Sequence, residues 1–303
     1  MSHVPVLLLT FNRLDTTQRV FEQVARYRPV RLYLASDGPR PQVQGEKEKV
    51  DHVRQFLIDR IDWECEVKTL FRPVNLGCKI AVSEAISWFF EHEEHGIILE
   101  DDCLPHLSFF PFCAQMLDVY RDDTRIMQIS GTNFIGRYTP DPQYRYFFSK
   151  YGGIWGWASW RRAWKHFDLS PGKYHQAKAT GILKGFLGST YAWRMYLYEQ
   201  VFEKSLDTWD YQWSFSRAIN SGLSIVPAVN LIKNIGFGTD ASHTHKAIAD
   251  IADMQTGELD IQDFQLNPFV VADQRYDERL IRKLSDGLYR IKPFIRKAKD
   301  FLS

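Results

Sequence analysis

Short apolar runs and amphipathic segments alternate over the first part of the chain, and this alternation restricts the possible folds most strongly. Residues 4–10 form a continuous apolar run that is typical of a strand buried on both faces. A helix is predicted from about Asp15, and a second apolar run follows at 30–35. A helix that crosses between two neighbouring strands leaves those strands parallel. With further strands predicted at 64–71 and 96–99, the sequence indicates an α/β fold with a Rossmann-like, mostly parallel sheet flanked by helices.

An acidic triplet, Glu100, Asp101 and Asp102, comes directly after the predicted strand at 96–99. Neighbouring carboxylates repel each other unless a positive charge lies close to them. Mg²⁺ and Mn²⁺ prefer carboxylate oxygens and are often shared with substrate phosphates, and ligands of open α/β sheets bind at the carboxyl ends of strands. A solvated acidic turn is the alternative, but the largely apolar run at 104–112 argues against it. The pattern favours a site for a divalent cation, Mn²⁺ or Mg²⁺.

Composition and cysteine spacing exclude several classes of protein. The chain has 303 residues, 45% of them hydrophobic and 25% charged, and its net charge of +1 does not indicate nucleic-acid binding. No apolar run reaches the roughly 18 residues of a membrane-spanning helix, and the N-terminus lacks the basic region and cleavage site of a signal peptide. The cysteines form no CxxC pair and no zinc-like spacing, so we expect buried, reduced thiols in a cytoplasmic protein. They are Cys65, Cys78, Cys103 and Cys113.

An aromatic segment that contains several glycines spans 151–160 and includes Trp157. Glycines between tryptophans permit a tight backbone that leaves indole faces exposed, as a wall that stacks on a sugar or a base requires. An aromatic core beneath a loop is an equal alternative. Further along, the segment around Asp210 opens a predicted helix, and 234–245 is rich in Gly, Ser, Thr and His. We expect this last segment to be a loop that can fold over a ligand.

The composition changes near the C-terminus. Residues 275–303 contain nine Lys and Arg against four Asp and Glu, and Leu and Ile recur there at helical spacing with a break predicted at Pro293. We therefore predict a basic, helical extension over 251–303. Two placements remain open for it: packed on the body of the protein, or lying as an amphipathic helix on an anionic membrane.

Several sequence blocks occur in an order that resembles one enzyme family. They are VLLLTFNR, the strand end SDG, NLGCKIA, ILEDD, GIWGWASWRRAW, DTWDYQW and FGTDASH. Over about residues 4–245 the chain resembles a GT-A nucleotide-sugar glycosyltransferase, and within that fold the branch of N-acetylglucosaminyltransferase I and similar bacterial glycan-assembly enzymes. The triplet is Glu-Asp-Asp where the family has Asp-x-Asp, which leaves the number of protein ligands on the metal open.

The resemblance implies roles for individual residues. Asp102 takes the place of a direct metal ligand, His243 would reach the metal or the diphosphate, and Asp210 takes the place of the family's catalytic carboxylate. Asp37 would accept a hydrogen bond from the imide N–H of uracil or a similar base, and Lys79 would meet phosphate charge. The other expected contacts with the nucleotide sugar are Thr10, Asn12, Arg13, Glu100, Asp101 and Trp157. Simpler roles stay open: a turn residue at Asp37, a solvated side chain at Lys79, a helix N-cap at Asp210 and an unliganded loop histidine at His243.

The function implied by the resemblance is metal-dependent, inverting transfer of a sugar from a nucleoside diphosphate sugar to a glycan or lipid-linked glycan. A UDP-sugar is the first expectation for the donor, and surface polysaccharide or glycoconjugate synthesis is the expected process. Residues 1–250 would form the GT-A domain, with a nucleotide-binding half at 1–130 and an acceptor half at 131–250. The protein would be cytoplasmic or peripheral on the inner face of the membrane. Two other functions remain open: a nucleotidyltransferase that forms nucleotide sugars, although no Gly-rich loop follows the first strand, and a catalytically silent carbohydrate-binding scaffold.

Overall fold

The computed structural model describes residues 4–236, 253–261 and 265–289. The strands are β1 (Val6–Thr10), β2 (Arg31–Ser36), β3 (Glu66–Phe71), β4 (His95–Glu100), β5 (Cys103–Pro105), β6 (Ile126–Ser130), β7 (Tyr146–Ser149), β8 (Trp157–Trp160), β9 (Leu223–Pro227) and β10 (Ile232–Asn234). The α-helices are α1 (Leu14–Tyr27), α2 (Glu46–Asp59), α3 (Gly77–His92), α4 (Phe109–Val119), α5 (Arg161–Trp164), α6 (Gly172–Thr180), α7 (Lys184–Leu187), α8 (Tyr191–Phe202), α9 (Asp210–Ile219) and α10 (Gln274–Tyr289). A 3-10 turn at Gly188–Thr190 precedes α8.

Within these residues one large sheet has the strand order β3-β2-β1-β4-β8-β6-β9-β7. The strands β1 to β4 are parallel to one another, and β6 and β9 run in the same direction. Only β8, between β4 and β6, and β7, at the edge beside β9, run the opposite way among the strands of this sheet. The predicted mixed α/β architecture, with a mostly parallel sheet flanked by helices, is confirmed.

Alternate residues of β1 point to opposite faces of the sheet, and both faces are covered. Leu8 packs with Val20 of α1 in one core cluster, while Leu7 packs with Phe89 of α3 in the other. All residues of β1 are buried, which explains its continuous apolar run. Each fully buried side chain of this kind contributes about 1.5–3 kcal/mol to the stability of the fold. The packing fixes where the carboxyl ends of the parallel strands lie.

The aromatic segment is a central strand and not an exposed wall. Trp157 begins β8 and is fully buried, with its ring centroid 5.8 to 6.1 Å from those of Trp164, Trp209 and Trp213. The prediction of exposed indole faces is wrong at Trp157 and also at Trp160, which is buried as well. The core alternative describes this segment, because tryptophans on both faces of a central strand are covered by neighbouring helices.

Two further elements lie beside the acidic triplet. Asn234 of β10 pairs with Cys103 of β5 in a two-stranded antiparallel sheet. The apolar run at 104–112 enters a helix, α4, that packs on the sheet. The prediction of buried thiols holds for Cys103 and Cys113, whereas Cys78 is exposed; all four cysteines are free.

The described part of the C-terminal helix packs on the body of the protein. Tyr276 and Leu280 of α10 are buried in a cluster with Phe147 of β7. Asp277 accepts hydrogen bonds from the Ser149 hydroxyl at 2.5 Å and the backbone N–H of Lys150 at 3.4 Å. None of the helices in the described ranges has the length and apolar character that a membrane span needs.

Candidate functional site

A cavity of about 480 Å³ opens at the carboxyl ends of β1, β2, β3 and β4. Its volume falls in the range of small-molecule sites, and the carboxyl ends of parallel strands are where ligands of such sheets bind. The apolar part of its wall includes Leu9, Phe11, Ala35, Leu70, Ala81, Val82 and Ala85. Its polar groups include Glu100 and Asp101 of the acidic triplet. The cavity therefore combines an apolar wall with a charged edge.

The acidic triplet is crowded and partly buried at this edge. Burial raises the pKa of Asp101 to about 6, with Arg13 opposing the rise and the charge of Asp102 adding to it. Burial also raises the pKa of Glu100 well above its usual range, and the charges of Asp102, Asp101 and Asp210 add to that rise. Glu100 Oε1 is buried and has no hydrogen-bond partner among the described residues. The site thus brings together three carboxyl groups, of which Arg13 pairs with two.

Arg13 is the cation that the structure places on the triplet. Its Nη2 lies 2.6 Å from Asp101 Oδ1 and 3.0 Å from Asp102 Oδ2. The backbone N–H of Phe11 donates to the other oxygen of Asp101 at 3.2 Å, and the side-chain amide of Asn234 donates to the other oxygen of Asp102 at 3.3 Å. Both carboxylates are therefore oriented by the chain that surrounds them.

The triplet fits a hard divalent cation by its chemistry. It offers carboxylate oxygens, including the partnerless Glu100 Oε1, at a point where burial and neighbouring carboxylates raise the pKa of Glu100. In the described residues no three His, Cys, Asp or Glu side chains are already grouped as a metal site. The guanidinium of Arg13 stands between Asp101 and Asp102 instead. The predicted ligand His243 lies outside the described residues.

Asp37 follows β2 and is used by the neighbouring turn. Its Oδ1 accepts from the backbone N–H groups of Gly38 and Leu76 at 2.8 and 3.0 Å, and its Oδ2 accepts from the Asn75 amide and the Gly77 N–H at 2.8 and 3.2 Å. A carboxylate has about four acceptor positions, so these donors occupy all of them. The predicted bond from Asp37 to a base N–H has no free acceptor here, and the alternative of a turn residue describes it.

The first turn of α3 is occupied by a carboxylate that the sequence analysis did not identify. Asp207 accepts from the backbone N–H groups of Cys78 and Lys79 at 3.2 and 3.0 Å. Asp207 lines the cavity, whereas Lys79 does not. The place predicted for phosphate at this helix end is therefore held by Asp207, since helix N-termini favour any anion. The sequence signal that could have identified Asp207 is its position three residues before Asp210 in the block DTWDYQW.

Asp210 is the first residue of α9 and not its N-cap, which is Trp209. The Thr208 hydroxyl donates to Asp210 Oδ1. Burial raises the pKa of Asp210, with hydrogen bonds from Thr208 and from backbone N–H groups opposing the rise. Because the charge of Asp210 also raises the pKa of Glu100, the two carboxylates lie near each other. Asp210 is not among the residues that line the cavity.

The remaining predicted contacts divide into two groups. Thr10 ends β1 and lines the cavity, and its hydroxyl donates to the backbone carbonyl of Ala35 at 3.3 Å. The side-chain amide of Asn12 donates to the buried Glu46 at 2.9 Å, and Asn12 does not line the cavity. Thr10 is therefore placed to meet a ligand, and Asn12 holds the turn after β1.

Three arginines that the sequence analysis did not single out shape the cavity. Arg40 and Arg72 line it directly. Arg54 lies behind the wall and donates to the backbone carbonyls of Ser36, Asp37 and Arg72 at 2.7 to 3.2 Å. No sequence pattern marks them, because they are spread over a loop, a helix and a strand end and meet only in the fold.

No known family model matches the chain, and no curated protein matches it. Among solved structures it is similar to a mannosyltransferase from Pyrobaculum calidifontis in complex with GDP-Man and Mn²⁺, at 12% identity and a TM-score of 0.35. This match covers 52% of this chain and 44% of the other, so the chain spans less than half of that protein.

Two other similar structures represent two kinds of transfer. One is the galactosyltransferase LgtC in complex with donor and acceptor sugar analogues, at 12% identity and a TM-score of 0.34, with 58% of this chain and 65% of the other covered. The other is an inositol-1-phosphate CTP transferase from T. maritima, at 11% identity and a TM-score of 0.41, with 88% and 99% covered. At these identities and scores, no activity passes from any of these proteins to this chain.

Proposed function

We propose that this chain is a GT-A nucleotide-sugar glycosyltransferase that moves a sugar from a nucleoside diphosphate sugar to a hydroxyl of a glycan or lipid-linked glycan. The observation that carries the proposal is the cavity at the carboxyl ends of the parallel strands, with Glu100 and Asp101 on its edge. The partnerless, buried Glu100 Oε1 at that edge supports a charged ligand there.

The cavity wall suits the two halves of such a donor. Its apolar part can cover a base and ribose, and three arginines, Arg13, Arg40 and Arg72, line the same space. Guanidinium groups pair with phosphate through parallel N–H bonds, so they are suited to a diphosphate. Because the oxygens of Asp37 are occupied, we leave the base open and include uridine, guanosine and cytidine donors in the test.

The acidic triplet would hold the divalent cation, with Asp101 and Asp102 as the proposed ligands and the partnerless Glu100 Oε1 in the same triplet. When bound, Mn²⁺ or Mg²⁺ stabilises the negative charge that develops on the leaving diphosphate. The chain itself orients both carboxylates: the Phe11 N–H donates to Asp101, and the side-chain amide of Asn234 donates to Asp102. We include a divalent cation in the proposal because the triplet offers the oxygen ligands that such a cation prefers.

Asp210 is the proposed general base. An acceptor hydroxyl is a weak nucleophile, and a carboxylate within hydrogen-bond reach can take its proton in the transition state. Asp210 begins α9, and its charge reaches Glu100 strongly enough to raise the pKa of that carboxyl, which supports this role. A single displacement would invert the anomeric centre, which agrees with the resemblance to the branch of N-acetylglucosaminyltransferase I.

The test is a product analysis with purified protein. We expect release of a nucleoside diphosphate from at least one nucleotide sugar when Mn²⁺ and a mixture of glycan acceptors are present. Proton NMR of the product should show inversion at the anomeric carbon. Pyrophosphate release from a nucleoside triphosphate and a sugar phosphate would instead establish a nucleotidyltransferase. Binding of sugars without any turnover, and without an effect of chelator, would establish a scaffold.

A further inference from the structure

Arg13 contacts the triplet in the way that a metal ion would. A single nitrogen, Nη2, bridges Asp101 Oδ1 and Asp102 Oδ2 at 2.6 and 3.0 Å. The opposite oxygen of each carboxylate is already held, by the Phe11 N–H for Asp101 and by the Asn234 amide for Asp102. The two oxygens that face Nη2 already share one cationic group, so they are the pair that we assign to a metal ion.

Backbone borders this bridge on one side and narrows the space beside it. The backbone at Gly236 closes over it, because a Cβ atom added there would lie 2.3 Å from Asp102 Oδ2 and 2.8 Å from Arg13 Nη1. A metal ion placed between the same two oxygens would take the position that Arg13 Nη2 holds. Binding of one requires that the other leaves.

Arg13 is the partner that can leave. Its side chain is 42% exposed, whereas that of Asp101 is 5% exposed. The backbone of Arg13 is fixed at the start of α1, where its carbonyl accepts from the Thr17 hydroxyl at 2.6 Å and from the Thr17 N–H at 3.1 Å. A long side chain on a fixed backbone can change rotamer without unfolding its surroundings. Asp101 has no such freedom.

We propose that Arg13 is an internal counter-ion that a divalent cation displaces from Asp101 and Asp102 when the donor binds, and that the released guanidinium then pairs with the donor's diphosphate. The inference rests on the proposed function. Arg13 would therefore have two opposite effects. It would weaken binding of the free cation, because it competes for the same oxygens, and it would strengthen binding of the donor, because it contacts the diphosphate. No covalent bond forms or breaks in this step, because it only exchanges ion pairs.

The first test measures binding of Mn²⁺ alone, without nucleotide, by electron paramagnetic resonance of the full chain. Arg13→Gln should bind Mn²⁺ about ten- to a hundredfold more tightly than the wild type, the range that loss of one charged hydrogen-bonded competitor predicts. Arg13→Lys should lie between the two, because an ammonium keeps the charge but lacks the planar fork.

The matched control is Arg72→Gln. Arg72 also lines the cavity, but it pairs with Glu84 at 2.8 Å and touches neither carboxylate of the bridge. This variant removes the same charge without freeing the two oxygens, so its Mn²⁺ affinity should stay within about twofold of the wild type at physiological salt. Equal tightening in both variants would mean a general effect of charge and would overturn the exchange.

The second test measures the affinity of a nucleoside diphosphate at saturating Mn²⁺ by calorimetry. Arg13→Gln should bind it more weakly than the wild type, opposite in sign to its effect on Mn²⁺. Unchanged or weaker Mn²⁺ binding by Arg13→Gln and Arg13→Lys overturns the proposal, as does a lack of Mn²⁺ binding in every variant. Failure of the proposed function is a separate result: the wild type would then bind no nucleotide sugar at all, whatever residue stands at position 13.

Discussion

At the scale of single residues, the site is defined by carboxylates that the fold crowds together. Glu100 and Asp210 come from strand and helix ends far apart in the sequence, and yet the charge of one raises the pKa of the other. A buried carboxylate with a raised pKa accepts a proton more readily than an exposed one, as a general base requires. The separate tasks of Asp210 and Asp102 can therefore be tested by substitution.

Asp210→Asn is expected to keep donor binding and to lose transfer by about 10²- to 10⁴-fold, the range for removal of a general base. The amide retains the size of the side chain and an oxygen for the Thr208 hydroxyl, so the start of α9 should be preserved. Calorimetry with the donor and turnover with the acceptor check the two halves of this expectation. Asp102→Asn is the comparison, since it should weaken metal-dependent donor binding. Equal loss of donor affinity in both variants would contradict the separate roles.

Residue types in their order along the sequence were enough to find this edge of the sheet. Glu100 and Asp101 were identified because acids directly after an apolar strand lie where ligands bind. Asp37 also lies there, but sequence could not show that four donors fill its oxygens, because three of them come from residues about forty positions away. The role of Asp207 could not be predicted from the sequence for the same reason, since its hydrogen-bond partners on α3 are 128 and 129 positions away.

At the scale of elements, the turn between β3 and α3 forms one wall of the cavity. Asn75 and Gly77 line the cavity and are tied to Asp37 at the end of β2. The two segments approach so closely that a Cβ atom at Gly38 would lie 2.3 to 2.5 Å from backbone atoms of Val74. Backbone atoms cannot move aside as a flexible side chain does, so this contact requires glycine.

Gly38→Ala is expected to push the two segments apart, to lower the free energy of unfolding by about 1–3 kcal/mol, and to weaken nucleotide binding. Gly172→Ala is the matched control, because no atom lies within 4 Å of a Cβ atom added there. Denaturation and donor titrations of both variants provide the measurement. A Gly38→Ala protein as stable as the control, with unchanged donor affinity, would show that the contact does not shape the cavity.

The parallel strands of the N-terminal half were predictable as elements, and the antiparallel strands β7 and β8 were not. The runs that become β1, β2 and β4 are continuous and apolar because each strand is buried on both faces. Strand β8 has the sequence Trp-Ala-Ser-Trp, and the glycines around it favour the prediction of a loop. Its strand conformation depends on pairing with β4 and β6, which lie far away in the sequence.

At the scale of the whole molecule, α10 joins the C-terminal part of the chain to the edge of the large sheet. Its Asp277 is buried against Ser149 and Lys150 at the end of β7. Burial raises the pKa of Asp277 to about 6, and the hydrogen bonds from Ser149 and Lys150 oppose the rise only in part. The predicted boundary between a domain at 1–250 and an extension at 251–303 stays a prediction, as does any contact of the extension with a membrane.

This pKa has a direct consequence for stability. The folded state favours the protonated carboxyl, so the stabilisation is present below the unfolded pKa, near 3.9, and is lost as the pH rises through about 6. Asp277→Asn should avoid that loss and gain stability over the wild type by up to about 3 kcal/mol between about pH 4 and pH 7. Urea denaturation at about pH 4 and about pH 7 measures this difference in the free energy of unfolding. Glu278→Gln, a partly exposed neighbour, is the control, and a similar pH trend for both variants would contradict the account.

The most direct measurement of the central claim is a thermal-shift titration of the wild-type protein with uridine, guanosine and cytidine diphosphate sugars, each with and without Mn²⁺. A ligand that binds only the folded state raises the melting temperature. We expect one nucleotide class to raise it with Mn²⁺ present, with a smaller rise after chelation, and we expect Asp102→Asn to lose that difference. No shift with any nucleotide sugar, with or without Mn²⁺, would contradict a donor site at the carboxyl ends of β1 to β4.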